Sequence, residues 1–313
     1  MKKLVIALLL AVSTSFVAAD TFPNKTVKIT IGFPAGSGPD SVLRVISEQL
    51  SKKWNTTVIV DNKPGGNGVI GLESYYKAPA DGHNLYFGDN AVVVSYPILY
   101  NRKITDKLIP LVPVTQNGLM LFASPKVKDF RELTELIKQK PLFGSWGVGS
   151  AGHIVGLELT DLIGVSATHV PYREYSQWFT DTSNSELTFG FATPGSGNQL
   201  EKAGKLKFIA FAGSTRHPDY PNVPTILELT NKPVGSLSGW LAFFINKETP
   251  QDKTNQLEKD IREVLTTPEV KQFMANLVYK PWPISNREFE KYVASEINIY
   301  LQMVKKHNIS SVN

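Results

Sequence analysis

Short apolar runs that alternate with amphipathic segments across glycine-rich turns constrain this chain most, because that rhythm builds parallel strands covered by helices. Val27-Lys28-Ile29-Thr30-Ile31 reads as a first strand. A helix opens near Pro39 and places Val42, Leu43, Ile46 and Leu50 on one face. Strands near 57–60 and 85–88 continue the alternation. A second series follows Pro125, with helices over 130–138 and 152–162 and strands near 142–143, 168–170, 187–191 and 207–211. Residues 241–245 form a last apolar strand. Pro250 and Pro268 each mark a helix start, and a closing helix over 286–306 carries Phe289, Tyr292, Val293, Ile297 and Tyr300 at helical spacing. The fold class is α/β, with no repeat, low-complexity tract or flexible linker.

The amino terminus sets the compartment. Lys2 and Lys3 precede an apolar run over 4–17 that closes on Val17-Ala18-Ala19 before Asp20. That is the pattern of a signal peptide, residues 1–19, with a small-residue cleavage site. A retained anchor needs about 20 apolar residues, so the mature chain is expected to begin near Asp20, outside the cytoplasmic membrane and not inserted in it. The sequence has no cysteine, hence neither a disulfide framework nor a thiol for a lipid anchor. Roughly 290 mature residues suffice for one or two hydrophobic cores without staples, and two domains are the expectation.

The formal net charge is +5, two charges of which are the leader lysines. The remaining basic residues are scattered among acids, without the clustered face that a nucleic-acid backbone requires. A mild positive surplus suits an anionic ligand, and it equally describes a solvated surface.

Two loops carry the chemistry. Phe33-Pro34-Ala35-Gly36-Ser37-Gly38-Pro39-Asp40 joins the first strand to the first helix. Gly36 and Gly38 permit close backbone approach, and a helix start leaves N–H groups that favour an anion. Asp40 in the first helical turn would repel a second negative charge, so it reads as a loop organiser while the backbone of residues 35–38 meets the ligand. A plain strand-to-helix turn is the alternative. Residues 144–153, Gly-Ser-Trp-Gly-Val-Gly-Ser-Ala-Gly-His, repeat the arrangement, with Ser150 as N-cap. Two such loops facing each other could grip the two ends of one small anion.

Other motifs carry less. Gly147, Gly149 and Gly152 fit the dinucleotide fingerprint, but so do Gly66, Gly68 and Gly71 in a loop without the strand–helix context. An exported protein is also a poor companion for a nicotinamide cofactor, and no cofactor is expected. Ser150 and His153 stand three apart, yet no G-x-S-x-G elbow surrounds Ser145, Ser150 or Ser196 and no third triad member offers itself. His153 reads as a helix-terminus hydrogen-bonding residue before a general base. The five histidines show no zinc spacing, so no metal is expected. Tyr172 and Arg173 follow a strand and suit a carboxylate, although Arg173 can equally form a surface ion pair with an acid such as Glu174.

Taken in order, these loops resemble the periplasmic solute receptors of tripartite tricarboxylate transporters, the Bug or TctC-type proteins. The resemblance covers nearly the whole mature chain. It rests on Phe33-Pro34-Ala35-Gly36 with Asp40, on Val60-Asp61-Asn62-Lys63-Pro64-Gly65-Gly66 with Gly68 and Gly71, and on Gly144-Ser145 with Gly147-Val148-Gly149-Ser150. It continues through His169-Val170-Pro171-Tyr172-Arg173, Ala203-Gly204-Lys205-Leu206, Pro221-Asn222-Val223-Pro224-Thr225, and Gly239-Trp240 with Thr249-Pro250.

The resemblance implies a two-lobed periplasmic-binding-protein fold, type II-like, with the ligand in the interdomain cleft and crossover strands near 120–123 and 239–243. Residues 20–122 with 239–313 would form lobe 1, to which the carboxyl-terminal helices return, and residues 123–238 lobe 2. Family ligands are small carboxylates held by backbone N–H groups, water and a few hydroxyls. Carried onto this chain, the site takes Phe33, Ala35, Gly36, Ser37, Gly38, Asp40 and Asn90 from lobe 1. From lobe 2 it takes Ser145, Trp146, Ser150 and His153, then Tyr172, Arg173, Ala192 and Thr193. The implied protein is a monomer in a Gram-negative periplasm that delivers a small anionic organic ligand to membrane subunits of a transporter. A ligand-presenting receptor for a sensor kinase and an exported hydrolase using Ser150 are the alternatives, and an enzyme is not expected.

Departures from the family pattern fall at Ser37, Trp146, Glu174-Tyr175 and Ala192. The family has an aspartate at the position of Ala192, and without it an amino-acid ligand is disfavoured. Trp146, Tyr172, Tyr175 and Trp178 would offer aromatic surface to a bulky or aromatic carboxylate, or else serve ordinary packing.

Overall fold

The computed structural model describes residues 22–103, 105–172, 174–235 and 237–309. The leader, residues 1–19, and Arg173 lie outside the described residues.

Two five-stranded sheets organise the chain. The first lobe begins with β1 (Val27–Ile31), α1 (Gly38–Trp54), β2 (Val58–Asn62), α2 (Val69–Tyr75), β3 (Asn84–Asp89), α3 (Tyr96–Leu99) and β4 (Leu108–Asn117). The second lobe follows as β5 (Leu119–Ala123), α4 (Phe130–Gln139), β6 (Leu142–Ser145), α5 (Ala151–Ile163), β7 (Thr168–Pro171), α6 (Tyr175–Ser183), β8 (Phe189–Ala192), α7 (Pro194–Lys202), β9 (Lys207–Ala212) and α8 (Ile226–Thr230). The chain then returns as β10 (Gly239–Asn246), α9 (Gln251–Leu265), α10 (Pro268–Asn276) and α11 (Asn286–His307). Strand order is β2-β1-β3-β10-β4 in one sheet and β7-β6-β8-β5-β9 in the other. In each, one long-range strand, β10 or β5, lies antiparallel between its neighbours.

The passage between the sheets differs from the expectation. Residues 120–123 lie inside β5, where every residue is buried, and the chain changes sheet at Gly118. There a Cβ would strike the Phe211 ring. The apolar run 119–123 is long enough to be an interior strand in its own right, so it joins the second sheet instead of crossing between sheets. β4 escapes sequence reading because it contains Pro110 and Pro113. Proline donates nothing to a ladder, and β4 tolerates it as an edge strand with register shifts against β10.

Helix α1 buries Val42, Leu43, Ile46 and Leu50 against the first sheet, each worth roughly 1.5–3 kcal/mol when fully removed from water. Pro268 opens α10, whereas Pro250 stands one residue ahead of α9 as its cap. α9 returns to the first lobe, where Asp260 accepts from Trp54 Nε1 at 2.7 Å and pairs with Lys53 at 3.3 Å. α11 returns to the first lobe as well, and reaches beyond it. Its first half holds β10 through Trp240 and Glu296, but its last turn places Lys306 and His307 on Asp161 of α5, at 2.5 and 2.9 Å. The helix therefore straddles both lobes.

Candidate functional site

Strands β1, β3, β6 and β8 end toward the same interlobe region, where open α/β sheets present their ligand loops. After β1, Gly36 takes φ +79° with open space where a Cβ would be, so the loop turns at a residue that glycine alone adopts at no steric cost. Ser37 caps α1: its hydroxyl accepts from Asp40 N at 3.4 Å and donates to Pro34 O at 2.7 Å. Asp40, 1% exposed, accepts from Gly36 N, Arg44 Nε and Asn62 Nδ2, each at 2.8 Å. Asn62 also donates to Phe33 O at 3.1 Å and accepts from Arg44 Nη2 at 2.9 Å. Burial draws the Asp40 pKa up, but the hydrogen bonds from Arg44, Asn62 and Gly36 overcome it and hold the carboxyl below its ordinary value. With that charge paired to Arg44, and with the Gly36 and Ser37 N–H groups bonded to Asp40 and Pro34 O, the rest of the backbone over 35–38 is what the loop can offer outward.

The loop after β6 is built on a chain of side chains. Ser150 caps α5, accepting from His153 N at 3.2 Å, and its hydroxyl donates to Ser145 Oγ at 2.9 Å. Ser145 Oγ stands 2.7 Å from His169 Nε2 and 2.9 Å from Gly147 O. His153 Nδ1 accepts from Gly149 N at 2.9 Å, and its ring stacks on His169 with centroids 3.8 Å apart. Burial pushes His153 down to about 2, with His169 and His307 adding to it, and pushes His169 down to about 4. Both rings are neutral near pH 7. Ser145 and Ser150 are 0% and 2% exposed, so their hydroxyls are committed inside the loop, as are the N–H groups of Gly147, Gly149 and Ser150; an anion would have to be met by the other backbone N–H groups of the loop and the first turn of α5. The short Ser145–His169 contact lacks both access for an acyl group and an acid on the far imidazole nitrogen among the described residues. It is a scaffold for the turn.

Trp146 leaves that loop half-buried, stacks on Tyr175 of α6 at 5.9 Å and 21°, and tilts against buried Trp178 at 5.8 Å. The Tyr172 hydroxyl spends its proton on Asp181 Oδ2 at 2.7 Å, so it has none to donate to a carboxylate. At the end of β8, Ala192 is buried without a polar group, and Thr193 caps α7 with its hydroxyl 2.8 Å from Ser196 Oγ. Asn90 follows β3, and its amide nitrogen donates to Ser238 O at 3.1 Å and Glu296 Oε1 at 3.4 Å.

Tyr279 ties the two lobes together. A Cβ on Gly38 would lie 2.7 Å from its hydroxyl oxygen, and one on Gly195 of α7 would lie 3.7 Å from its Cε2. The residue before it, Val278, takes φ +58° and ends α10 in a left-handed position that normally goes to glycine. This turn, closed by Tyr279 N donating to Met274 O at 2.8 Å, directs the ring between the lobes.

Residues 42–309 match the profile of the tripartite tricarboxylate transporter family receptor, TctC. The chain belongs to the TctC family. A UPF0065 protein of Bordetella pertussis is 28% identical to this TctC protein over 302 residues, covering 94% of this chain and 92% of its own. The periplasmic binding protein BugD superposes with a TM-score of 0.79 at 22% identity, over 92% of this chain and 99% of its own. An R. palustris protein solved with adipate reaches 0.84 at 21% identity, over 93% and 100%. These likenesses establish the two-lobed periplasmic-binding fold. No helix among the described residues of this TctC protein is long and apolar enough to cross a membrane.

Three residues in or behind the candidate site escape sequence reasoning: Asp89, Tyr279 and Glu296. Asp89 ends β3, and its position as the first acid after the apolar run 85–88 was the available signal. Burial pushes its carboxyl up to about 7, although the backbone N–H groups of Val92 and Ala91 bond to it. Glu296 falls four residues from both Tyr292 and Tyr300, on the buried face of α11, so helical spacing carried its signal. Tyr279 lies in an irregular turn and had none.

Proposed function

We propose that this TctC protein is an exported solute receptor that captures a small organic carboxylate between its lobes and hands it to the membrane subunits of a tripartite tricarboxylate-type transporter in a Gram-negative periplasm. The observation that carries this reading is the pair of glycine-rich loops, each capped by a serine and each opening a helix, that leave β1 and β6 in separate lobes. Helix starts and unpaired backbone N–H groups stabilise an anion by charge and by hydrogen bonding together. The adipate in the R. palustris relative supports a carboxylate as that anion. Residues 20–118 with 239–313 and residues 119–238, a boundary moved from 122 because β5 lies in the second sheet, would move as the two lobes of a monomer, closing by hinge motion about the segments that join the sheets.

The exposed face of the Trp146–Tyr175 stack extends the proposal to a ligand with a bulky or aromatic portion, since flat rings bind apolar surface and prefer offset stacking. A thermal-shift screen over mono-, di- and tricarboxylates, amino acids and aromatic acids tests the reading, because a ligand of the native state alone raises its melting temperature. At least one carboxylate is expected to do so by several degrees. A flat response across the whole panel overturns the receptor reading, and tight citrate or glutamate binding with no response to aromatic acids overturns the aromatic extension.

A further inference from the structure

The first-lobe wall of the cleft carries an acid without a counter-charge. β1 and β3 are parallel, with Ile31 level with Phe87, so Asp89 emerges level with Phe33 at the start of the first glycine-rich loop. On its other side Leu241 of β10 pairs with Asp89. Two residues earlier on β10, a Cβ on Gly239 would stand 2.9 Å from Thr193 Cγ2 of the second lobe. Asp89 thus sits where the lobes meet; burial raises the pKa of the Tyr175 hydroxyl on α6 of the opposite lobe, and Tyr279 and Asp89 add to it.

Asp89 is half-buried, and its Oδ1 accepts from Ala91 N at 3.2 Å. Among the described residues no lysine, arginine or histidine pairs with it. The group behind it is a second acid, Glu296, whose carboxyl is turned toward Trp240 and Asn90. Keeping a carboxylate ionised in such surroundings is unfavourable unless a cation arrives. Asn90 does not supply a donor, because its amide nitrogen is already bonded to Ser238 O and Glu296.

Resting on the receptor reading above, we infer that Asp89 is a specificity residue of the cleft that selects a carboxylate bearing a protonated amine, whose ammonium meets the Asp89 carboxylate while its carboxylate meets the glycine-rich loops. An ammonium donates charge-assisted hydrogen bonds to a carboxylate, which are stronger than neutral ones. The same acid opposes a second carboxylate on the ligand. Asp89 thereby restores, from the opposite lobe, the negative group that Ala192 leaves out of the second-lobe wall.

Calorimetric titration of the full mature chain with two matched series tests the inference: 5-aminopentanoate, adipate and pentanoate, then 4-(aminomethyl)benzoate, terephthalate and 4-methylbenzoate. In the wild type, in at least one series, the amine-bearing member is expected to bind tenfold or more tightly than its dicarboxylate. Asp89→Asn, which retains an oxygen for Ala91 N, is expected to bring the two within threefold, and Asp89→Glu to restore the preference; melting temperatures of both variants report that they fold. A dicarboxylate that binds as tightly as its amine partner, or a preference that survives Asp89→Asn, overturns the inference alone. Failure of both series overturns it too, and only a flat response to the wider carboxylate screen removes the receptor reading as well.

Discussion

Trp240 Nε1 donates a 2.8 Å hydrogen bond to Glu296, a carboxyl only 1% exposed. The pair joins β10 to α11, where the chain re-enters the first lobe. Ser238, just before β10, is held to the same helix by a 2.7 Å contact between its hydroxyl and that of Tyr292. Burial pushes the Glu296 carboxyl up to about 8; bonds from Trp240 and Asn90 oppose the shift and the nearby Asp89 charge adds to it.

A folded-state pKa raised above the unfolded one makes the native state hold a proton that the unfolded chain releases. The contribution of Glu296 is therefore intact below the unfolded value of about 4.5 and is lost as pH rises toward the folded value of about 8. Glu296→Gln removes this dependence. Urea unfolding is expected to show the variant close to the wild type at pH 5 and more stable by a few kcal/mol at pH 8.5. Parallel curves for the two proteins across that range would contradict the assignment.

Gly149 holds φ +77° in the second glycine-rich loop, and a Cβ there would collide with Tyr300 Oη and Leu99 Cδ1. Gly149→Ala combines a left-handed backbone with overpacking, together about 2–4 kcal/mol. Its melting temperature is expected to fall by several degrees, and addition of Tyr300→Phe to recover part of the loss, since the two sites are in contact. Additive losses in the double variant would show that the collision is not the cause.

Asp40 satisfies three donors at once, so Asp40→Ala leaves Gly36 N–H, Arg44 and Asn62 without their acceptor. A loss of about 2–4 kcal/mol is expected, along with weaker ligand binding as the loop loosens. The Asp40 pKa is lowered in the fold, so its contribution is present above the unfolded value of about 3.8 and disappears as pH falls through the lower folded value. The stability gap between wild type and Asp40→Asn should close in acid. A gap that persists to pH 2 would show that charge is not what the loop uses.

Trp146→Ser removes one ring of the Trp146–Tyr175 stack. Competition titrations should show affinity for an aromatic carboxylate falling about tenfold more than affinity for an aliphatic one, a difference of roughly 1.4 kcal/mol. Equal losses for both would place Trp146 in packing alone.

Much of the fold was legible because periodicity reports burial directly: α1, α5, α11 and most parallel strands fall where apolar spacing puts them. The misses have physical causes. β4 hides behind Pro110 and Pro113, which an edge position tolerates, and the crossover that the resemblance implied near 120–123 falls instead at Gly118, because the run 119–123 is itself a strand of the second sheet. Within the site, the loops around Gly36 and Ser150 were visible as glycine and cap patterns. Their chemistry was not, because Ser145, Ser150 and Tyr172 were expected to face a ligand and instead bond to His169, to one another and to Asp181. Asp89 and Tyr279 become neighbours of the site only through the packing of distant segments, which no local pattern encodes.

The absence of cysteine permits a direct test of two lobes closing on one ligand. Glu48→Cys on α1 and Glu135→Cys on α4 introduce exposed attachment points, one per lobe, for a donor and acceptor dye pair. Energy transfer between them, followed during titration with the carboxylate that most raises the melting temperature, reads the lobe separation. A saturable change with 1:1 stoichiometry is expected as the lobes approach. Ligand binding with no change in transfer at saturation would contradict capture by closure between the lobes.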